Sequence, residues 1–361
     1  MISGFDGIFS HNPAAVGICM VVVMAVFKGI GGASRRLCFF AAGFIALFAV
    51  CWTAREALPA QAEQHPIRWV DFRVSHAALK QAMAYDIRSR REAVHLDWVD
   101  LLAYAACKNG GRFSEARSKE IDRLAYRLRG GEPLEKAVEG LKHFAYYRAA
   151  YGAALGGLLG EYRIEAPDRA KQGGKTVKAG YGLKAFSPIA AGYAFEHYDD
   201  FGHARTFGFR RKHLGHDLLG RVGTPVVAVE DGVVENLGWN IYGGWRVGIR
   251  SHDRKRYYYY AHLRKGRPYQ SDLARGKPVR AGDVIGYMGM TGYSAKEDTN
   301  NINVPHLHFG LQLIFDESRK DAPEIWIDTY PLVKLLQENR SVVAYDKVKK
   351  EHSRVYRFIE E

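Results

Sequence analysis

The sequence predicts an α+β, multidomain protein with an apolar N-terminal leader, an α-helical middle domain and an all-β antiparallel-sheet domain. Three observations support this fold class: two apolar runs within the first 52 residues, helical spacing of apolar residues from about 76 to 162, and short β-type runs broken by glycine after residue 180. The predicted division is a leader at 1–62, a helical domain at 63–163, a linker at 164–193, a β domain at 194–340 and a charged C-terminal tail at 341–361.

The composition is that of a globular protein with a strong positive charge. Of the 361 residues, 47% are hydrophobic and 25% are charged, and 52 Lys and Arg residues exceed 39 Asp and Glu residues by 13. This excess indicates attraction to a polyanion. The sequence has no zinc finger, no RRM-like aromatic motif and no continuous basic helix, so we expect no nucleic-acid partner and favour an anionic wall or membrane surface.

The cysteines exclude a disulfide framework and a cysteine zinc site. Cys19, Cys38 and Cys51 lie in the apolar leader, and only Cys107 lies in the rest of the chain. Any metal site must therefore use histidine and carboxylate ligands.

The leader is typical of a membrane hairpin. Residues 15–27 and 37–52 are apolar runs, both shorter than the roughly 20 residues of an ideal membrane span. The charges between them are all positive: Lys28, Arg35 and Arg36. The positive-inside rule then places this link in the cytoplasm and everything after Thr53 outside.

A signal peptide is the alternative for the same segment. Its apolar region would be 37–52, and Ala60-Gln61-Ala62 would be an A-x-A cleavage site. Both alternatives export the rest of the chain. The expected localisation is therefore the cell membrane or cell envelope, with the β domain outside the cytoplasm and the leader as the contact with the membrane.

The middle of the chain has the apolar spacing of four helices and carries no candidate for catalysis. The periodic positions are Leu79, Ala82 and Met83; Leu101, Leu102 and Ala105; Ile121, Leu124, Ala125 and Leu128; and Leu134, Val138 and Leu141. Gly110-Gly111 and Gly130-Gly131 follow basic last turns, as C-terminal caps do. Little periodicity and many Gly and Pro residues predict a linker at 164–193.

Two separated segments of the β domain bring histidines together with an aspartate. In the run HLHFGLQL at 306–313, strand alternation places His306 and His308 on one face. The segment KHLGHDLLG adds His213 and Asp217. Histidine and carboxylate ligands suit Zn²⁺, and three protein ligands leave a position open for water, as a hydrolytic site requires.

These residues resemble the lysostaphin-type (LytM-like) zinc endopeptidases. The resemblance lies in three motifs: H-x-G-x-D at 213–217, Y-A-H-L at 260–263, which contains His262, and P-H-L-H-F at 305–309. It extends from about residue 180 to 339. It implies an antiparallel-sheet catalytic domain with a central groove, of the duplicated hybrid motif type. It also implies a peptidoglycan hydrolase that cuts peptide cross-links or stem peptides of bacterial peptidoglycan.

The resemblance also assigns roles to five residues. His213, Asp217 and His308 would be the zinc ligands, and His306 and His262 would be the catalytic histidines that handle the water proton and the transition state. The chain has no HExxH motif, so no motif glutamate is available as the base. A histidine base is then the natural substitute.

Three alternatives accompany these assignments. His216 could replace His213 as a ligand, although the H-x-G-x-D spacing favours His213. The run HYDDFGHAR at 197–205 also looks like a metal cluster, but we interpret it as a loop at the cleft edge. At the level of function, the alternative is a catalytically silent, zinc-bearing wall-binding or activator module of a cell-envelope complex.

Overall fold

The computed structural model describes residues 67–167, 174–318 and 324–359. The leader predicted at 1–62, with both apolar runs, lies outside the described residues. Within these three ranges, no helix is both long enough and apolar enough to cross a bilayer.

Five helices occupy the region predicted as helical: α1 (His76–Ser89), α2 (Trp98–Asn109), α3 (Lys119–Arg129), α4 (Leu134–Ala137) and α5 (Phe144–Leu155). Capping explains where they begin and end. The Ser75 hydroxyl accepts from the Ala78 N–H at the start of α1, and α2 ends at Gly110 with a left-handed φ of 63°. The helix predicted at 134–141 is shorter than expected, since α4 ends at Ala137. The four predicted helices did not include α5, because α5 is apolar on most of its circumference and so lacks the periodic pattern of a one-sided helix.

The strands of the described residues are β1 (Leu159–Pro167), β2 (Lys175–Leu183), β3 (Glu196–Tyr198), β4 (Ala204–Arg205), β5 (Arg211–Lys212), β6 (His216–Leu219), β7 (Pro225–Val227), β8 (Gly232–Asn240), β9 (Gly244–Ser251), β10 (Arg256–Ala261), β11 (Pro278–Val279), β12 (Val284–Tyr287), β13 (His306–Leu313), β14 (Ile325–Ile327), β15 (Val343–Asp346), β16 (Glu351–Arg354) and β17 (Arg357–Ile359). A sixth helix, α6 (Tyr330–Leu336), follows β14.

The main sheet confirms the predicted antiparallel β architecture. Its strands lie in the order β11-β8-β9-β10-β13-β6-β3, with β14 added to β13, and every pairing is antiparallel. One buried apolar cluster extends from Leu102 and Tyr151 in the helices to Phe309 in the main sheet. The division into separate helical and β domains stays a prediction.

The predicted linker contains a regular strand pair. β1 and β2 pair over nine residues each, from Leu159 opposite Leu183 to Pro167 opposite Lys175. The segment predicted as a linker at 164–193 therefore contains regular strands at 164–167 and 175–183, while its role as a connection between domains stays a prediction. Most side chains of β2 are exposed, so the sequence has no buried face and no period to reveal the strand.

The charged tail predicted at 341–361 is also folded. β15 and β16 form a hairpin, and β17 adds to the free edge of β1. Phe358 packs against Tyr162 and Phe186 with ring centroids 5.9 and 5.5 Å apart. Although most residues of this segment are charged or polar, apolar residues such as Phe358 attach it to the rest of the chain.

A buried arginine joins the helices to the main sheet. The Arg256 side chain is 1% exposed, and its Nη1 donates to the carbonyl oxygen of Ala153 in α5 at 2.8 Å. Its Nε and Nη2 donate to the two carboxylate oxygens of Glu230 at 2.7 and 2.9 Å, and Nη2 also contacts Asp253 at 2.9 Å. The pairing compensates a charge that would otherwise be very costly to bury.

We expect Glu230→Gln to lower the free energy of unfolding by about 3 kcal/mol, because it removes the bidentate partner of a buried charge. Urea denaturation of the full-length chain measures this. Glu317→Gln is the matched control, since Glu317 pairs with the exposed Arg254, and it should cause no measurable change. Equal stability of the two variants would contradict the role assigned to the Arg256 network.

Candidate metal centre and catalytic cleft

The pairing of β6 with β13 builds the base of the candidate site. Asp217 lies directly opposite His308 in this antiparallel pair. Along β13, Leu307 and Phe309 are buried in the core, whereas His306 and His308 stand on the opposite face. The alternation predicted for this strand is therefore present, and it brings an imidazole beside a carboxylate.

His213 completes a three-residue cluster from the turn before β6. Its backbone is fixed at both ends, because its N–H donates to the carbonyl oxygen of His203 at 2.8 Å and its own carbonyl accepts from the Gly202 N–H at 2.7 Å. Its Nε2 lies 2.8 Å from Nδ1 of His308 and 3.1 Å from Oδ1 of Asp217. Nδ1 of His308 lies 3.0 Å from the same Oδ1.

The cluster has the chemistry and the dimensions of a metal site. Two imidazole nitrogens and one carboxylate oxygen converge in a largely buried position. Ligands of a tetrahedral zinc ion at about 2.0–2.1 Å from the metal stand about 3.3 Å apart, so the three atoms need to separate by only a few tenths of an ångström. His213, Asp217 and His308 together could therefore hold a metal ion.

The electrostatics of the cluster favour ligand-competent protonation states. Burial alone would raise the pKa of Asp217, but the adjoining imidazoles of His213 and His308 hold it well below its usual range. Burial lowers the pKa of His308, which favours the neutral ring that a metal requires.

Gly215, at the centre of H-x-G-x-D, is required by a close approach. A Cβ at this position would lie 2.5 Å from both Cε1 and Nε2 of His308 and 2.9 Å from the carbonyl oxygen of Phe309. The glycine therefore leaves the space in which the His308 ring sits. The motif needs glycine here because of packing against a distant strand.

Asp200 and Arg205 lie behind the cluster, a place that the sequence reasoning did not assign to them. Oδ1 of Asp200 lies 2.7 Å from Nδ1 of His213, and Arg205 forms an ion pair with Asp200 and lies 3.3 Å from Oδ2 of Asp217. A carboxylate at Nδ1 favours the tautomer whose Nε2 lone pair faces the cluster. The run at 197–205, interpreted as a loop at the cleft edge, thus contributes a buried carboxylate that lies beside a candidate ligand.

His306 and His262 are each held through Nδ1 by a backbone carbonyl oxygen. Nδ1 of His306 lies 2.8 Å from the carbonyl oxygen of Val304, and Nδ1 of His262 lies 2.8 Å from that of Thr291. A carbonyl oxygen can only accept, so each Nδ1 carries the proton and each Nε2 keeps its lone pair. The two rings lie 4.7 Å apart between centroids, and Nε2 of His306 is 3.8 Å from Oδ1 of Asp217.

The backbone redirects His262 away from the face that simple alternation predicts. Alternation would place it with Tyr258 and Tyr260, which are buried in the core. Instead β10 ends at Ala261, and His262 adopts a left-handed φ of 59° with its N–H donating to the carbonyl oxygen of Gly243 at 2.7 Å. Burial, together with the neighbouring His306 and His308, lowers the pKa of His262 well below its ordinary value.

His216 does not reach the cluster. It lies on the opposite face of β6, where its Nε2 is 2.7 Å from Nδ1 of His197 and its ring contacts Tyr330. Burial lowers the pKa of His216 to about 3. The preference for His213 over His216 agrees with this geometry.

A cleft of about 490 Å³ opens in front of the cluster. Its basic lining residues are Arg205, Arg211, Lys212, Arg246 and Arg250. The aromatic residues Tyr242 and Tyr293 stand at its wall, where Phe207 stacks on Tyr293 at 4.9 Å and Arg211 lies over Tyr242 at 4.6 Å. The cleft is therefore positively charged and rimmed by aromatic rings.

Residues 211–321 match the family model described as Peptidase family M23. This segment is a peptidase M23 domain. The M23 domain contains all five predicted site residues, which confirms the family to which the motifs pointed. Asp200 and Arg205 lie just before the matched segment. M23 peptidases are metallo-endopeptidases that act on peptidoglycan.

Curated relatives of the M23 domain include three named peptidases. An L-Ala–D-Glu endopeptidase of Bacillus subtilis is 40% identical over 124 residues, which are 34% of this chain and 36% of the relative. Lysostaphin of Staphylococcus simulans is 37% identical over 27% of this chain and 17% of its own length. The peptidoglycan DD-endopeptidase ShyC of Vibrio cholerae is 34% identical over 27% of this chain and 20% of its own length. The matches thus span about a third or less of these relatives.

Solved structures also resemble the chain. A LytM from Ruminococcus gnavus is 23% identical, covers 77% of this chain and 92% of its own, and has a TM-score of 0.49. The catalytic domain of Staphylococcus simulans lysostaphin is 30% identical, covers 39% of this chain and 92% of its own, and has a TM-score of 0.29.

We expect Gly215→Ala to lower metal affinity by at least about ten-fold, because the new methyl group displaces the His308 ring from the cluster. Zinc titration against a competing chelator measures this. Gly152→Ala in α5 is the control, since its Cβ would meet only Val99 Cγ1 at 3.9 Å. Metal affinity of Gly215→Ala equal to that of the control would contradict the packing role of Gly215.

We expect Asp200→Asn to lower metal affinity by about ten- to a hundred-fold, as loss of a carboxylate behind a histidine ligand does. The same zinc titration measures this effect without reference to activity. Asp199→Asn removes the same charge from an exposed neighbour and should keep the original affinity. If both variants bind zinc equally well, Asp200 does not orient His213.

Proposed function

We propose that this protein is a zinc-dependent endopeptidase that hydrolyses peptide cross-links or stem peptides of bacterial peptidoglycan. The observation that carries the proposal is the convergence of His213, Asp217 and His308, with His306 and His262 beside them, at the cleft of an M23 domain. The relatives include L-Ala–D-Glu, glycyl-glycine and DD-endopeptidases, and these activities agree with the proposed substrate class.

Zinc is the proposed metal because the donor set is two imidazoles and one carboxylate with room for a further ligand. His213 would offer Nε2, Asp217 would offer Oδ1 and His308 would offer Nδ1. When bound, zinc supplies Lewis acidity that activates water and polarises the scissile carbonyl. Asp200 would keep His213 in the ligand-competent tautomer.

His306 is the proposed general base. Its Nδ1 is held by the Val304 carbonyl, so Nε2 is free to accept a proton beside Asp217. His262 lies beside His306, with ring centroids 4.7 Å apart, and it lines the cleft. We propose that His262 holds the substrate and the transferred proton in place during the reaction.

The catalytically silent alternative is not favoured. All five residues of the motifs are present, and three of them form a cluster that could hold a metal. The cleft in front of them is open to a peptide. We also propose that the site acts outside the cytoplasm at the cell membrane or cell envelope, since both alternatives for the leader export it and its proposed substrate lies there.

The test of function is release of soluble muropeptides from purified sacculi by the full-length chain, together with its zinc content. We expect about one zinc per chain and release that a chelator abolishes and added zinc restores. Zinc binding without any release would support the silent module instead. Chelator-insensitive release would contradict a metal mechanism.

Variants separate the metal ligands from the proposed base. We expect His308→Ala and Asp217→Ala to lose bound zinc, whereas His306→Ala should keep zinc and lose about 10²- to 10⁴-fold in turnover, as removal of a general base does. Metal analysis and peptide hydrolysis on the same samples measure both quantities. Loss of zinc from His306→Ala would overturn its assignment as the base.

A further inference from the structure

One row of residues crosses the main sheet from the metal cluster to an arginine. Asp217 pairs with His308, and His308 pairs with Ala261. On the other side of β10, Tyr260 pairs with Val247, so the adjoining residues Ala261 and Arg246 lie side by side. Directly opposed residues share a face, and Arg246 therefore stands on the same face as the cluster.

The distance along this row determines how many residues of a bound peptide separate Arg246 from the candidate metal ligands. Arg246 and His308 are two strands apart, which corresponds to about 9.6 Å between backbones. An extended peptide covers that length with about three residues. Because the Arg246 side chain lines the cleft, its guanidinium can meet a group one or two residues from the scissile bond.

The floor of the cleft, which is the surface of the sheet between Arg246 and His308, carries only small side chains. The residue between Arg246 and His308 is Ala261, with a single methyl group as its side chain. Gly243, where a Cβ would lie 2.3 Å from the Tyr259 hydroxyl and 3.2 Å from Ala261 Cβ, keeps the neighbouring backbone close. Arg246, Ala261, His262 and His308 all line the same cleft.

The side chain of Arg246 has no polar partner within the described part of the chain. Its buried Nε makes no hydrogen bond there, and no carboxylate lies within ion-pair distance. The other cleft arginines are paired: Arg250 with Glu235 and Arg205 with Asp200, while Arg211 donates to the carbonyl oxygen of Phe207 at 2.7 Å. A buried donor without a partner requires an explanation.

We propose that Arg246 binds a free carboxylate of the substrate, one or two residues from the scissile bond. This inference rests on the proposed function and narrows its substrate class to anionic stem peptides, in preference to neutral glycine bridges. A guanidinium binds a carboxylate through two parallel hydrogen bonds. The balance of charge in the cleft agrees, since five basic residues line it against the carboxylates of Asp217, Glu235 and Glu324.

The test compares two synthetic peptides of one stem sequence, one with its carboxylates free and one with them amidated. The zinc-loaded, full-length chain should cleave the free-carboxylate peptide with the higher kcat/KM, mainly through a lower KM. Arg246→Gln should reduce this ratio by about ten- to a hundred-fold, the range for a hydrogen bond to a charged group. Arg246→Lys, which keeps the charge without the planar fork, should retain part of the preference.

Arg254→Gln is the matched control, because Arg254 is an exposed arginine paired with Glu317, and it should keep the original ratio. Zinc content and thermal unfolding establish that each variant is folded. A wild type that cleaves both peptides equally, or an Arg246→Gln variant that keeps the preference, would overturn the inference.

Failure of the proposed function is distinguishable from failure of this inference. If neither peptide nor sacculi are cleaved, the endopeptidase proposal fails. Calorimetric binding of the two peptides then tests Arg246 alone. Tighter binding of the free-carboxylate peptide that is lost in Arg246→Gln supports the subsite, and equal binding rejects it.

Discussion

The antiparallel register of β6 against β13 is the constraint on which the candidate site depends. It places Asp217 opposite His308, and both residues meet His213 only because the turn before β6 is held by hydrogen bonds to Gly202 and His203. A slip of β13 by one residue would turn that strand over, burying its two histidines and exposing Leu307 and Phe309. The core on the other face therefore fixes the geometry of the cluster.

Gathering polar groups at this position has a cost that neighbouring charges reduce. Asp217 and Asp200 are both buried, and two carboxylates so close to each other would repel without a cation. Arg205 lies between them and contacts both. Asp200 in turn contacts His213, so the cluster is held by a chain of alternating charges that reaches from the cleft wall to the candidate metal ligands.

The sequence predicted the parts of the candidate site that depend on the spacing of residues within one strand or motif. It did not predict the parts that depend on contacts between residues far apart in the chain. Alternation predicted the shared face of His306 and His308, which the structure shows. The motif favoured His213, which lies in the cluster, over His216, which does not reach it. Alternation does not hold for His262, because β10 ends at Ala261 and His262 itself has a left-handed backbone conformation. Asp200 could not be recognised because its burial arises from contacts made only in the folded chain. The strands at 164–193 and in the tail are mostly exposed, so they lack the pattern that reveals buried strands.

The register that positions the candidate ligands also positions Arg246. Because both belong to one row of the sheet, the distance between the proposed chemistry and the proposed recognition of charge is set by strand spacing and is independent of loop conformation. The cleft walls differ in this respect, since Phe207 and Arg211 come from the short β4–β5 hairpin. Changes in that hairpin would alter which substrates enter, whereas the sheet would set the distance between the proposed carboxylate site at Arg246 and the scissile bond.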